Sequence, residues 1–317
     1  MSELEVAVIG GGLWGQGLAK AAARSGAKVT LVSRRPPDGL HLSAGMVHAS
    51  SYEAARRAKL IILATPTHVV RQVARELGDH LDGGHYVVHG VRGLVHDDTG
   101  PSLHTVSDVL REELPARRLG ALGGPALAED LDAGRPSVLM SASRFPEVNR
   151  ALADAFTVPM LRVYSTSDLR GLEWASALVG CLAIGIGFAK GVGLSPGLVA
   201  AVLCRSMAEA GRIASAAGGD EHTLLGLGGY GDLLASVEME DRPEVVLGRA
   251  LAGGATVAEA LEKTGARVEA VDLLPRVVEF ARTHGVRAPI FAALERGFQK
   301  TATPHSLIEE LMTLPMN

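Results

Sequence analysis

One stretch constrains this chain more than any other: Glu5-Val6-Ala7-Val8-Ile9-Gly10-Gly11-Gly12-Leu13-Trp14-Gly15-Gln16-Gly17-Leu18-Ala19. An apolar run reaches a Gly-x-Gly-x-x-Gly (Gly10, Gly12, Gly15) and passes directly into an Ala/Leu-rich helical segment. In such a turn the first glycine makes the tight bend, the second lets backbone approach a pyrophosphate, and the third lets the helix pack close to its strand. The helix N-terminus then offers unpaired N–H groups to an anion. A second strand, Lys28-Val29-Thr30-Leu31-Val32-Ser33, follows where a βαβ unit needs it. At its end stand Ser33, Arg34 and Arg35, where a carboxylate would read a ribose 2′-OH. Two guanidiniums suit a 2′-phosphate, so NADP is expected and NAD is the alternative; the structural reading is a solvated basic loop leading into Pro36-Pro37.

Further apolar runs predict strands at Lys59–Ala64, His85–His89, Leu119–Gly123 and Ser137–Ser141, with a loop over Pro36–Ser50 and helical spacing over Val69–Leu81. Runs of this kind, bounded by Pro or Gly, fit strands buried on both faces of a parallel sheet. The expected fold class is therefore α/β, a doubly wound Rossmann-type parallel sheet, with ligands at the strands' carboxyl ends. Those ends comprise Gly10–Gly15, Ser33–Arg35, Ala64–Pro66, Gly90–Gly93 and Gly124–Glu129. After Tyr164 the pattern changes to long helices: Leu169–Lys190, Gly197–Ala217, Pro243–Ala252, Val257–Lys263, Val268–His284 and Ile290–Gln299. The expected division is a dinucleotide-binding domain over 1–167 and a second, all-helical substrate and dimerisation domain over 168–317.

Length and composition agree with two domains: 317 residues, 47% hydrophobic, 21% charged. The net charge of −4 and 4% aromatic content give no sign of nucleic acid or an anionic membrane as partner. The first strand begins within a few residues of Met1, which leaves no signal peptide, and Cys181 and Cys204 read as reduced core thiols of a cytoplasmic protein. Trp174–Ala189 is too short and Gly-rich for a bilayer span and reads as a buried helix. No histidine spacing suggests a metal site.

From Gly10 to its C-terminus the chain resembles the bacterial NAD(P)-dependent sn-glycerol-3-phosphate dehydrogenases. The resemblance is carried by Gly10-Gly11-Gly12-Leu13-Trp14-Gly15, Gly93-Leu94, Gly124-Pro125-Ala126-Leu127-Ala128-Glu129, Val163-Tyr164 with Asp168 and Gly171-Leu172-Glu173, Arg205 with Glu209, Gly228-Gly229-Tyr230-Gly231-Asp232-Leu233, Arg242, and Val268-Glu269. It implies hydride transfer between a nicotinamide and dihydroxyacetone phosphate or glycerol 3-phosphate. It also implies a cofactor set of Gly10, Gly12, Leu13, Trp14, Gly15, Ser33, Arg34, Arg35, Pro66, Ala128, Arg242 and Glu269. Asp232 and Arg92 are the implied catalytic residues, and Arg242, Ser236 and Asp241 the substrate-binding ones.

The departures from the family concentrate at the chemistry. Its Lys-Asn pair, which supplies the general acid/base, is Val179-Gly180 here; a second lysine is Arg92; the Ser of Gly-Pro-Ser is Ala126; and Ser-Arg-Asn is Asp241-Arg242-Pro243. A positioned proton donor contributes roughly 10²–10⁴-fold, and valine has no proton to give. Arg92 can stabilise negative charge but shuttles protons poorly, and Asp241 beside Arg242 would neutralise a phosphate clamp. Asp232 reads equally as the residue that orients or deprotonates a substrate hydroxyl and as the cap of a helix beginning at Leu233. Glu269 reads as a nicotinamide neighbour or as a helix N-terminal carboxylate. Tyr230 and His222 are weaker candidates for the missing donor. Lys190 lies roughly 16 Å along the helix from Val179. The competing functional class is a nucleotide-binding regulator that has lost catalysis. The Ala/Gly-rich helical half suits a homodimer.

Overall fold

The computed structural model describes residues 4–36, 41–96, 103–299 and 304–313. The chain divides into two units, Met1–Val95 with His104–Glu173, and His96–Leu103 with Trp174–Asn317.

The first unit carries an eight-stranded sheet of β1 (Glu5–Ile9), β2 (Lys28–Val32), β3 (Met46–Ala49), β4 (Leu60–Leu63), β5 (Tyr86–His89), β8 (Arg118–Gly123), β9 (Ser137–Ala142) and β10 (Leu161–Thr166). Two short strands, β6 (Val95–His96) and β7 (Leu103–His104), pair separately. The order across the large sheet is β10-β9-β8-β5-β4-β1-β2-β3. Order reverses at β1, which pairs parallel with β2 on one side and β4 on the other. That reversal opens a crevice at the strands' carboxyl ends. The helices are α1 (Leu13–Arg24), α2 (Val70–Gly78), α3 (Val106–Glu113), α4 (Ala128–Ala133) and α5 (Pro146–Phe156).

Side-chain alternation along the strands makes the layers. Ala7 and Ile9 of β1, with Ile61 and Leu63 of β4, enter one buried cluster with Val73 and Leu77 of α2 and Val109 and Leu110 of α3. Val6 and Val8, with Leu60 and Ile62, enter another with Leu18 and Ala22 of α1 and Leu152 and Phe156 of α5. β1 and β4 are thus apolar on both faces, as a sheet covered twice requires.

Two expectations are corrected here. The stretch Pro36–Ser50 is not loop throughout: Met46–Ala49 forms edge strand β3, parallel to β2; residues 37–40 lie outside the described residues. The sheet is not wholly parallel either, since β9 runs antiparallel to β8. The connection from β8 to β9 contains only the six-residue α4, closed by Gly134 in the left-handed region (φ 69°). β10 follows parallel to β9.

The second unit is helical: α6 (Leu169–Gly191, which begins in the first unit), α7 (Pro196–Ala216), α8 (Glu221–Leu225), α9 (Asp232–Glu238), α10 (Pro243–Ala252), α11 (Val257–Thr264), α12 (Ala270–Thr283), α13 (Pro289–Phe298) and α14 (Pro304–Thr313). Among the described residues α6 alone has the length and apolarity of a membrane span, and 89% of its most apolar window is buried in the protein. α10 lies directly on α6: a Cβ on Gly187 would strike the Val245 carbonyl, and one on Gly248 the Ile184 carbonyl. α13 is capped from afar. Glu209 of α7, itself buried, accepts the Ile290 amide at 2.8 and 3.0 Å and the Phe291 amide at 3.3 Å. Cys181 is buried but Cys204 is exposed, so the reading of both as core thiols is corrected for Cys204.

Candidate active site

In the first unit the glycine turn sits where β1 ends. Gly10 has φ +128°, and a side chain there would collide with the Ala64 carbonyl at the end of β4. Its amide donates to Val32 O at 2.9 Å, which ties the turn to β2. A Cβ on Gly15 would be driven into the Gly10 carbonyl, so α1 rests against its own strand only because that side chain is absent. Gly12 differs: a Cβ there would meet nothing within 4 Å. It is the N-cap of α1, exposed, with no side chain capping the first-turn amides. These amides and the open space above Gly12 fit a pyrophosphate.

The other expected nucleotide residues of this unit lie at neighbouring strand ends. Leu13 is 73% exposed. Trp14 packs over Gly90, and its buried indole N–H has no hydrogen-bond partner. After β2, Ser33 Oγ donates to Arg35 O at 2.7 Å and lies 3.0 Å from His48 Nε2, while Arg34 and Arg35 are exposed. His48, on β3, escaped the sequence reading because its strand did. Pro66 is exposed and opens the short 3-10 turn after β4. Ala128 opens α4, and its carbonyl would lie 2.8 Å from a Cβ on Gly17, so α1 and α4 touch backbone to backbone. Arg92 is half-buried after β5, and its carbonyl accepts from Thr67 Oγ1 at 3.3 Å.

Behind the Arg92 loop lies a polar group with no counterpart in the sequence reading. Buried His89, the last residue of β5, places Nε2 3.0 Å from Glu173 Oε1. The same carboxylate accepts the Ser107 amide and hydroxyl, both at 2.7 Å. The Val91 amide points at His89 Nδ1 at 3.4 Å, so Nε2 carries the ring proton and the ring braces the start of the loop. The cue in the sequence was a histidine and a glutamate in apolar surroundings, but their separation of 84 residues hid the pairing.

In the second unit Asp232, Ser236 and Arg242 come together. Asp232 and Ser236 share one face of α9, and Ser236 Oγ donates to Asp232 O at 2.9 Å. Arg242 Nη1 donates to Asp232 Oδ1 at 3.1 Å and to Ser236 Oγ. All three residues are buried. Asp232 does not cap a helix: Leu227–Gly231 already forms a π-type turn that runs into α9, whose N-cap is Gly231. Asp241 is exposed, and the second carboxylate on Arg242 is Glu244, whose Oε2 accepts from Nε at 3.0 Å.

Val179 is 1% exposed on α6. Lys190 donates to Val237 O and, at 2.6 Å, to Glu240. His222 is exposed and held by Asp220 at 2.9 Å, whose hydrogen bond and charge raise the imidazole above its usual range. Tyr230 is half-buried within the π-type turn. Glu269 is half-buried at the N-terminus of α12 and makes no side-chain capping bond.

This geometry matches known proteins over nearly the whole chain. Residues 5–149 match the family model for the N-terminus of NAD-dependent glycerol-3-phosphate dehydrogenase, and residues 168–309 match the model for its C-terminus. A glycerol-3-phosphate dehydrogenase [NAD(P)+] of Moorella thermoacetica is 32% identical over 98% of this chain and 96% of its own length. One from Thermobifida fusca is 32% identical over 92% and 91%. The crystal structure of the Coxiella burnetii glycerol-3-phosphate dehydrogenase superposes with a TM-score of 0.89 at 25% identity, covering 98% of this chain and 99% of that one. This chain belongs to the NAD-dependent glycerol-3-phosphate dehydrogenase family.

Proposed function

We propose that this protein is an NAD(P)-dependent oxidoreductase of the glycerol-3-phosphate dehydrogenase type, acting on a small alcohol/ketone pair. The observation that carries the reading is the open N-cap of α1 at Gly12, flanked by two glycines that tolerate no side chain. The nicotinamide supplies or accepts the hydride; the residues of the chain bind, orient and handle the proton. The first unit binds the nucleotide through Gly10, Gly12, Leu13, Trp14, Gly15, Pro66 and Ala128. Exposed Arg34 and Arg35, with Ser33, favour the 2′-phosphate of NADP over NAD. The second unit handles the substrate through Asp232, Ser236 and Arg242, with Glu269 completing the nicotinamide surroundings. Asp232 is the residue assigned to the hydroxyl proton, and Arg92 the residue assigned to charge developing on the alkoxide. Cytoplasmic location agrees with the free cysteines Cys181 and Cys204. A homodimer agrees with the exposed small residues Gly197, Ala200 and Ala201 on α7.

The test is oxidation of NADPH by purified protein with dihydroxyacetone phosphate and with dihydroxyacetone. Turnover of either above the enzyme-free rate supports the reading; none with any small ketone at high protein concentration contradicts it. One observation favours a second reading, a nucleotide-binding regulator without turnover: Val179, at the position the resemblance aligns with the family's lysine, is buried on α6. That protein would bind NADPH and gain melting temperature from it, yet would turn over nothing until Val179→Lys with Gly180→Asn restored a proton donor.

A further inference from the structure

Edge strand β3 brings a histidine to the end of β2. In the parallel register Leu31 stands opposite His48 and Val32 opposite Ala49, and the Ser33 amide continues the ladder by donating to Ala49 O at 3.0 Å. Ser33 is thus the diagonal neighbour of His48, on the same face of the sheet. Leu31 shares that face and enters the buried cluster of Leu18 and Ala22, so it is the face covered by α1, the helix that opens at Gly12. His48 and Ser33 are half-buried, and Arg34 and Arg35 beside them are exposed. Among the described residues neither guanidinium is in an ion pair.

The hydrogen bonds fix which atoms have protons to give. Ser33 Oγ donates to Arg35 O at 2.7 Å, and a carbonyl can only accept, so the single hydroxyl proton is spent there. The 3.0 Å contact between Ser33 Oγ and His48 Nε2 then needs its proton from the ring, which makes Nε2–H the donor. Ser33 therefore holds the Arg34-Arg35 turn and has no further proton for a ligand. His48 has one, and it rests on a neutral hydroxyl, a weaker acceptor than a phosphate oxygen. A 2′-phosphate calls for several donors and positive charge, whereas a ribose 2′-hydroxyl is uncharged and can itself donate. We propose that His48 donates Nε2–H to the 2′-phosphate of NADP alongside Arg34 and Arg35, and that it helps this chain select NADP over NAD. The inference rests on the proposed nucleotide-binding reading and deepens it; all four residues belong to the first unit.

Calorimetric titration with adenosine 2′,5′-bisphosphate and adenosine 5′-monophosphate, which differ in the 2′-phosphate alone, decides it on wild type, His48→Leu and His48→Gln. Wild type is expected to bind the bisphosphate at least about tenfold more tightly than the monophosphate. His48→Leu should lower that ratio at least about fivefold while holding the monophosphate within about twofold of wild type. His48→Gln, whose amide restores a donor, should keep the ratio within about twofold of wild type. No preference for the bisphosphate in wild type, undetectable binding of both included, overturns the inference. So does an unchanged ratio in His48→Leu, or an equal loss for both ligands, which marks a structural role. Should His48→Leu fail to fold, the ring nitrogen resonances of His48 in the wild-type chain are followed instead. They are expected to shift on saturation with the bisphosphate and not with the monophosphate; no shift, or the same shift with both, contradicts the assignment. Titrations with NADPH and NADH are a separate readout. Their failure would remove the dehydrogenase reading while leaving the bisphosphate comparison to decide the role of His48.

Discussion

The three glycines of the opening turn do different work, and substitution separates them. Gly15→Ala forces a methyl into the Gly10 carbonyl and is expected to cost about 1–3 kcal/mol of stability together with nucleotide affinity. Gly12→Ala meets no protein atom, so it is expected to cost about 1 kcal/mol or less in denaturant unfolding. It should still weaken NADPH binding by at least about tenfold, because the methyl fills the space a pyrophosphate needs. These roles were legible in the sequence because they are local. The partner of Arg242 was not: Asp241 is its neighbour in the chain yet exposed, and Glu244 reaches back from the first turn of α10. Glu209 makes a third residue-scale prediction. Burial, opposed by the two amides it accepts, raises its pKa to about 7 from the usual 4.5. The folded state therefore binds more protons than the unfolded one between those values, so this group's contribution to stability falls as pH rises from about 4.5 to about 7 and is level above. Glu209→Gln is expected to flatten that part of a melting-temperature profile; an unaltered slope would place its origin elsewhere.

At the scale of elements, the sequence located what has a strong period and missed what is short or paired at a distance. The long helices α6, α7, α10 and α12 and the buried strands β1, β2, β4 and β5 fall where the apolar pattern places them. Edge strand β3 has only four residues and is buried at Met46 alone among them, so it lacks the apolar run that marks the central strands. The reversal of β9 is a matter of strand direction, which hydrophobic pattern does not encode. Two contacts between elements are open to test. Gly248→Ala drives a methyl of α10 into the Ile184 carbonyl of α6 and is expected to lower unfolding free energy by about 1–3 kcal/mol, read from denaturant midpoints at constant slope. Glu173→Ala strips the buried His89 ring and both Ser107 donors of their acceptor, with an expected cost of about 3–5 kcal/mol. A loss below about 1 kcal/mol would mean that the Arg92 loop is braced by other contacts.

For the whole molecule, fold and chemistry differ in how locally the chain encodes them. The glycine turn, the two-faced sheet and the helical half follow from periodicity and from residues with local steric duties, and the family matches extend over both units. The chemistry depends on side chains that meet only after folding, as Asp232, Ser236 and Arg242 do; on the proposed reading, Val179 and the Arg242 group stand where the resemblance puts the family's lysine and phosphate clamp. Supplying Val179→Lys and Gly180→Asn together is expected to raise turnover of dihydroxyacetone phosphate by about 10²-fold or more if only the proton donor is missing. No gain would place the deficit at the Arg242 group instead. Every proposed role depends on nucleotide binding by the first unit, and calorimetric titration of the wild-type chain with NADPH measures that directly. Saturable binding with one nucleotide per chain is expected, weakened at least about tenfold in Gly12→Ala; no saturable heat with NADPH or NADH would contradict it.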